Sequence, residues 1–554
     1  MFNQQSGIAV ISFLCLANYT VAATIEVPKD HSKIQAAIDA AQDGDVILVA
    51  AGTYHERIDL KSGITVKSAG DDAPGKLGLK RAEATIIDGG GEGSKAGVTM
   101  AERSTLDGLT ITNIGVYDDE KWNHHHKSHG NEQSHAHIGE PGVAGVSIEG
   151  VNCTVTNNIV HHIGYTGIAI QRVGEKPCSP HIYKNVCYRN MGGGIGSMKG
   201  STAVIEENIC FHNFYAGIGH DNASPTVISN TCYENIRAGI GVSEGSCAIV
   251  RGNRCYHNRR AGIGIRTDNT TRPLIEGNDC YENDMAGIGT DEGAAPTLRG
   301  NRCYRNKLAG IGVREHSHAT IINNECYENG KAGIGQESNS VTILIGNYSH
   351  HNKASGIGFA ACDSGESTLI NNRVIDNALV AIGILKGWNV TLTDNELSRE
   401  GGLPPIVMLA EGAEATFSNN VIRGSGVAGI RVGGKLRAES NQFVGTSLRK
   451  VGPPNFAVWG LKGANISLEN NHMDTWRHAL HATEADVTAV GNKITNFHRS
   501  AIVIQNSRNP ANAYGNVAVS ANSKDNVVTI EGLQGVVNNN ILRNEEPDNR
   551  LLPQ

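Results

Sequence analysis

From Asn185 to Gly358 one phrase recurs eight times: Asn, a variable residue, usually Cys-Tyr, a variable residue, Asn, three further residues and Gly-Ile-Gly. Successive copies start 22 to 25 residues apart, as in NTCYENIRAGIG, NRCYHNRRAGIG and NDCYENDMAGIG. A unit that short, with two strand-like pieces and no helix, has no face it can bury alone. It must stack on its neighbours, so the chain is a solenoid and residues at equal places in the repeat form columns. Stacked strands would set the members of a column about 4.8 Å apart.

Strand alternation then assigns each column a face. If the Ile of Gly-Ile-Gly points in, both glycines point out, as for Gly217 and Gly219, Gly239 and Gly241, or Gly262 and Gly264. An outward Gly weakens a strand, because it loses more entropy on ordering and packs nothing. Two columns of them imply a flat strip that a ligand approaches closely, although the first also suits the turn before it. Two residues past each motif, Met198, Asp221, Ser243, Arg266, Asp291, Arg314, Glu337 and Ala360 border this strip. They serve either as cross-coil pairs or as polar contacts to an elongated ligand.

The other columns read as scaffold. Cys187, Cys210, Cys232, Cys255, Cys280, Cys303 and Cys326 form an inward ladder of small hydrophobes. Cys153 and Cys178 lie outside it in adjacent coils and could pair. Tyr188 to Tyr327 form an aromatic ladder that can stack on itself or offer faces to sugars. The column Arg189, His212, Glu234, His257, Glu282, Arg305, Glu328, His351 mixes charge as cross-strand pairs do. The Asn columns predict buried ladders of side-chain amides.

Before the repeats stands IQAAIDAAQDGDVILVAAGTY. Ser32 with Gln35 has capping-box spacing, Ile34 and Ile38 give the helix one apolar face, and Gly44 stops it. A short helix there suits a cap over an open first coil. This opening and the N-x-x-x-x-N-x-x-x-GI coils resemble the right-handed parallel β-helix proteins of the pectin-lyase-like superfamily. The resemblance implies an all-β, right-handed parallel β-helix solenoid with a short N-terminal capping helix. It leaves function open, since that scaffold hosts polysaccharide lyases, hydrolases, epimerases, phage fibres and metal-handling proteins.

The expected organisation is an export signal at 1–23, cap and first coils at 24–113, an insertion at 114–142, regular coils at 143–360, weaker coils at 361–542 and a tail at 543–554. The signal rests on the apolar run Ile8 to Ala17 and the small-residue site Val21-Ala22-Ala23, so a periplasmic or secreted protein is expected. That run is too short to span a membrane, so no transmembrane segment is expected in the mature chain. The formal net charge of −7 argues against a nucleic-acid partner.

The insertion reads YDDEKWNHHHKSHGNEQSHAHIGEPG and holds His124, His125, His126, His129, His135 and His137 within fourteen residues. Neutral imidazole suits copper or zinc. Alignment of the coils places this loop over one end of the glycine strip, with His161 and His162 in the next coil on the same side. The exported repeats are also similar to the periplasmic copper-binding family that assists nitrous-oxide reductase maturation. That resemblance implies copper handed to a periplasmic metalloenzyme; no motif maps onto a copper site of that family, and the eight histidines are candidate ligands on their residue type and clustering alone. The alternative is a lyase or epimerase acting on a uronate-containing, acidic polysaccharide, with calcium as a cofactor such chemistry admits, or a non-catalytic glycan-binding rod. Such catalysis needs a cation on the uronate and groups to move a proton, for which Arg266, Arg314, Asp221 and Asp291 are the candidates. His220 is a poor recruit, because strand parity turns it inward.

Overall fold

The computed structural model describes residues 22–130, 142–448, 453–520 and 526–544. Nearly all of the expected export segment and most of the tail lie outside these residues.

Each regular coil carries three short strands, for example Ile240–Ser243, Ile249–Arg251 and Arg254–Tyr256. Every strand pairs in parallel with its counterpart in the next coil. Ile218, Ile240 and Ile263 stand in one register, Val227, Val250 and Ile275 in a second, and Cys210, Cys232 and Cys255 in a third. The chain winds through about 22 right-handed turns.

The bend after the third strand recurs because one residue there adopts a left-handed backbone. Glu234, His257, Glu282 and Arg305 have φ of 52 to 55°. The neighbouring Asn makes that conformation tolerable. The Asn235 amide donates to the Cys210 carbonyl at 3.1 Å and to Asn258 Oδ1 at 3.0 Å, and its own oxygen accepts from the Asn213 backbone. A buried amide with every group engaged rigidifies the turn and passes the register to the next coil. The Cys ladder fills the space inside, and burial pushes the Cys210, Cys232 and Cys280 thiols well above the ordinary range.

The aromatic ladder stacks on itself. Ring centroids from Tyr188 through Phe211 to Tyr327 are 4.9 to 5.1 Å apart with planes within 8°. Those faces are covered and offer sugars nothing. Charges in the next column pair along the axis, with His212 2.7 Å from Glu234 and Arg305 2.7 Å from Glu328.

Helix α1 (Ile34–Ala40) closes the first coil and buries Ile34, Ala37 and Ile38. The predicted capping box does not form. The helix starts after Lys33 with no local side-chain cap, and Glu56 accepts from the Ile34 and Gln35 amides at 2.9 and 3.0 Å. A carboxylate from the next coil therefore does what Ser32 does not. The helix also ends at Ala41, ahead of Gly44. Helix α2 (Lys80–Ala84) is a short cover on the third sheet. Cys153 and Cys178 are free buried thiols and are not joined. Among the described residues no helix is long and apolar enough to cross a membrane.

The insertion is not wholly loop. Helix α3 (Asp119–Lys127) forms within it, and the Asp118 carboxylate caps it by accepting from the Lys121 amide at 2.9 Å. Trp122 is its anchor. The indole is buried with Phe214 and Ile236, donates from Nε1 to the His212 carbonyl at 2.8 Å, and lies 4.0 Å from the Arg189 guanidinium.

Candidate functional site: a glycine-floored trough

The two glycine columns have different surroundings, which corrects the reading that both face out. A Cβ on Gly239 would lie 2.7 Å from the Gly262 carbonyl, 2.9 Å from Asn258 Nδ2 and 3.0 Å from Cys255 Cβ. The first glycine of the motif thus faces the interior, because the chain is still turning its corner and strand alternation has not begun. The second glycine does face out. A Cβ on Gly219 would meet nothing within 4 Å, and those on Gly241, Gly264, Gly289 and Gly312 would meet an Ala methyl at 3.6 to 3.8 Å.

These outward glycines and the Ala that precedes each motif floor a trough of about 450 Å³ running along the helix axis. From Gly196 to Gly312 the floor crosses five coil steps, about 24 Å at the usual strand spacing. The bordering column from Met198 to Glu337 forms one wall, as its place in the repeat predicts. The other wall comes from the turn after the second Asn: Tyr215, Arg237, Arg260, Met285, Leu308 and Lys331. Sequence reasoning missed this second wall. The residues sit in the variable part of the repeat, and their common slot is visible once the turn's path is known.

The electrostatics are uneven along the trough. Arg237 is 5% exposed, and neither terminal guanidinium nitrogen has a hydrogen-bond partner among the described residues. Its cation lies 5.8 Å from the Tyr215 ring centroid. Burial, with the nearby Arg260 and Arg266 charges, pushes its pKa down to about 9. Arg260 donates to the Gly130 carbonyl at 2.6 Å and is also pushed down by burial and by Arg266. Arg266 stands 3.9 Å from Glu244.

Three guanidinium groups thus converge on two adjacent coils. On the same wall as Arg266, burial and Glu244 push the Asp221 carboxyl up. Arg314 lies between Asp291 at 3.7 Å and Glu337 at 3.6 Å. All four candidates Asp221, Arg266, Asp291 and Arg314 therefore line the trough, but Asp291 and Arg314 face each other. His220 points inward as predicted. It is buried, and burial pushes it down to about 3.

The histidines do not converge in this way. Helix α3 lies along the outer side of the second wall rather than over one end of the strip. His126 stacks on Trp122 at 4.8 Å and accepts from Arg259 at 3.1 Å. His129 pairs with Asp284. His125 packs edge-on against Phe214, with centroids 5.0 Å apart, and His124 edge-on against His125. His161 and His162 touch each other at 2.7 Å between Nδ1 atoms, and His161 stacks on Tyr188 in the third sheet. Burial pushes His126 and His161 down to about 4. His135 and His137 lie outside the described residues. Among the described residues no three His, Cys, Asp or Glu side chains come together as a metal site would require. The described histidines pack in pairs or against other side chains, and copper binding has no three-ligand cluster among them to rest on.

Parallel coils, internal Asn and Cys ladders and a side trough define a right-handed parallel β-helix protein. In agreement, the family model for the right handed beta helix region matches residues 125–271 and 248–397. No curated protein matches the chain. Among solved structures, the mannuronan C-5 epimerase AlgE6 A-module of Azotobacter vinelandii is 16% identical over 71% of this chain and 89% of its own, with a TM-score of 0.34. The pre-mature bacteriophage phi29 gene product 12 is 12% identical over 90% and 70%, with a TM-score of 0.44. The catalytic unit of a GH87 alpha-1,3-glucanase from Streptomyces thermodiastaticus strain HF3-3 is 10% identical over 68% and 61%, with a TM-score of 0.32. These are similarities of winding.

Proposed function

We propose that the trough binds an acidic polysaccharide laid along the helix axis, with a carboxylate seated on Arg237. The observation that carries this reading is the buried Arg237 guanidinium, whose two terminal nitrogens have no hydrogen-bond partner among the described residues. A desolvated, uncompensated charge is costly, and it persists where an ion of opposite charge completes it. Arg260 and Arg266 beside it raise the local positive potential further. The Gly and Ala floor is flat and free of side chains that would hold a sugar ring away. The wall from Asp221 to Glu337 offers polar groups to hydroxyls. One coil rise is close to the length of one sugar in an extended chain, so successive rings would meet successive coils.

Isothermal titration with acidic and neutral oligosaccharides tests this. Acidic ligands are expected to bind, and Arg237→Met to weaken them at least tenfold, as loss of a charge-assisted contact of about 1.5–3 kcal/mol implies. Equal binding of neutral and acidic ligands would overturn the reading.

A second reading, turnover of the bound glycan, is favoured by Asp221. A carboxyl whose pKa is raised by burial and by Glu244, on a wall that also carries Arg266, has the character of a proton-transfer group. Appearance of unsaturated-uronate absorbance in the wild type and its loss in Asp221→Asn would support it. Binding without any product would leave a glycan-binding rod.

A further inference from the structure

The outward column that floors the trough does not stop at Gly312. It continues in register through Gly335, Gly358 and Gly383, and then through Met408, Arg431, Trp459 and His481. The glycine strip thus gives way to large side chains on the same face. Strand alternation keeps Trp459 out of the core, and it is partly exposed, so the interior gains nothing from its size.

The rings at this end are splayed. Phe456 lies 5.5 Å from Trp459 at an interplanar angle of 34° and 5.0 Å from His481 at 35°. Tilted rings do not cover one another's faces as the parallel rings of the tyrosine ladder do.

The polar groups here are also unspent. The indole N–H groups of Trp122, Trp388 and Trp476 donate to backbone carbonyls at 2.8, 2.6 and 3.2 Å. That of Trp459 donates to no group among the described residues. The Arg431 guanidinium lies 5.5 Å from the Trp459 ring centroid, and among the described residues it forms no hydrogen bond or ion pair. His481 Nδ1 is shielded from solvent and has no hydrogen-bond partner among the described residues. Burial lowers the His481 pKa, so the ring is neutral and can donate or accept.

A ligand completing all these groups offers an apolar ring face to the indole, a carboxylate to the guanidinium and hydroxyls to the indole N–H and imidazole. A uronic acid residue carries all three on one ring. Its contact with Arg431 would be a charge-assisted hydrogen bond, and its C–H face would lie on the indole. The register also fixes the distance to the trough. From Gly241, on the coil of Arg237, to Arg431 is eight coil steps, about 38 Å at the usual strand spacing.

Resting on the acidic-polysaccharide reading above, we propose that Arg431, Trp459 and His481 form a second acidic-sugar subsite, and that one long chain occupies it together with Arg237. Joining two contacts through one ligand makes the second intramolecular, so chain length governs affinity.

Titration of the full chain with a uronate tetrasaccharide, a uronate dodecasaccharide and their neutral counterparts tests this. At one sugar per coil the shorter covers about four coils and the longer about twelve. Two tetrasaccharides are expected per protein chain, but one dodecasaccharide, bound at least tenfold tighter. Trp459→Ala and Arg431→Met should each leave one tetrasaccharide site and bring the dodecasaccharide to within about threefold of its affinity. Thermal melts should be unchanged, since both side chains stand outside the core. If the dodecasaccharide binds no tighter than the tetrasaccharide, or if either variant leaves its binding unchanged, the second subsite falls. The acidic-polysaccharide reading then stands on the tetrasaccharide's dependence on Arg237. If the uronate ligands bind no tighter than the neutral ones, the acidic-polysaccharide reading falls, and this inference with it.

Discussion

Arg260 donates a 2.6 Å hydrogen bond to the carbonyl of Gly130, a residue 130 positions earlier in the chain. The bond ties the turn after α3 to the trough wall. The insertion thus helps to position a wall residue. Trp122 fastens α3 itself.

Trp122→Ala should therefore release α3. Loss of a buried Trp costs about 3–5 kcal/mol, more than a nine-residue helix on a surface recovers by itself. Hydrogen exchange is expected to show residues 119–130 unprotected while the Asn-ladder amides stay protected. Affinity for the acidic ligand should fall several-fold as Arg260 loses its carbonyl. Unchanged exchange in the segment would refute this linkage.

Arg237→Met is expected to weaken ligand binding and to stabilise the free protein. Removing a buried guanidinium whose terminal nitrogens have no hydrogen-bond partner among the described residues relieves about 1–3 kcal/mol of desolvation cost. Urea denaturation should show a higher midpoint with an unchanged slope. A lower midpoint would mean that the guanidinium has a compensating partner.

Neighbouring glycines should respond oppositely. Gly262→Ala places a methyl 2.7 Å from the Gly287 carbonyl and 2.9 Å from Asn283 Nδ2, so a loss of about 1–3 kcal/mol from overpacking is expected. Gly264→Val meets an ordinary 3.6 Å contact with Ala238 and replaces Gly by a strand-favouring residue. It should leave stability equal or higher while blocking the trough. Thermal melts and ligand titrations on both variants separate the two effects.

His220 should make stability depend on pH. Burial holds its pKa at about 3 against an ordinary 6.5, so between these values the unfolded chain binds a proton that the folded chain refuses. Its contribution is complete above pH 6.5 and is lost as pH falls toward 3, at about 1.4 kcal/mol per unit. Denaturation at pH 7.5 and pH 5 should differ less in His220→Val than in the wild type. An equal difference would show that His220 is not the titrating group.

The solenoid was legible because its determinants are local and periodic. Ile218, Cys210 and Asn208 each recur at one place in the repeat, and period-2 alternation is enough to send Ile and Cys inward. The wall from Met198 to Glu337 was legible for the same reason, since it follows Gly-Ile-Gly on a regular strand. Gly239 was misassigned because it stands at a corner where alternation does not hold. Arg237 and Arg260 escaped notice because they sit in a turn, where direction depends on the left-handed residue before the Asn and not on parity. The spacing of the histidines did not show that helix α3 turns His125 toward Phe214 and His126 toward Arg259, because those neighbours come from distant coils.

By itself, then, the sequence determined the winding, the ladders and the outward glycine face, because a repeat of fixed phase can be propagated from coil to coil without knowledge of anything distant. The tertiary structure alone decided which residues wall that face. Desolvation of Arg237, the convergence of three guanidinium groups on two coils and the anchoring of Arg260 by Gly130 all arise between segments far apart in the chain. Their energies depend on distance and burial, which no spacing in the sequence encodes.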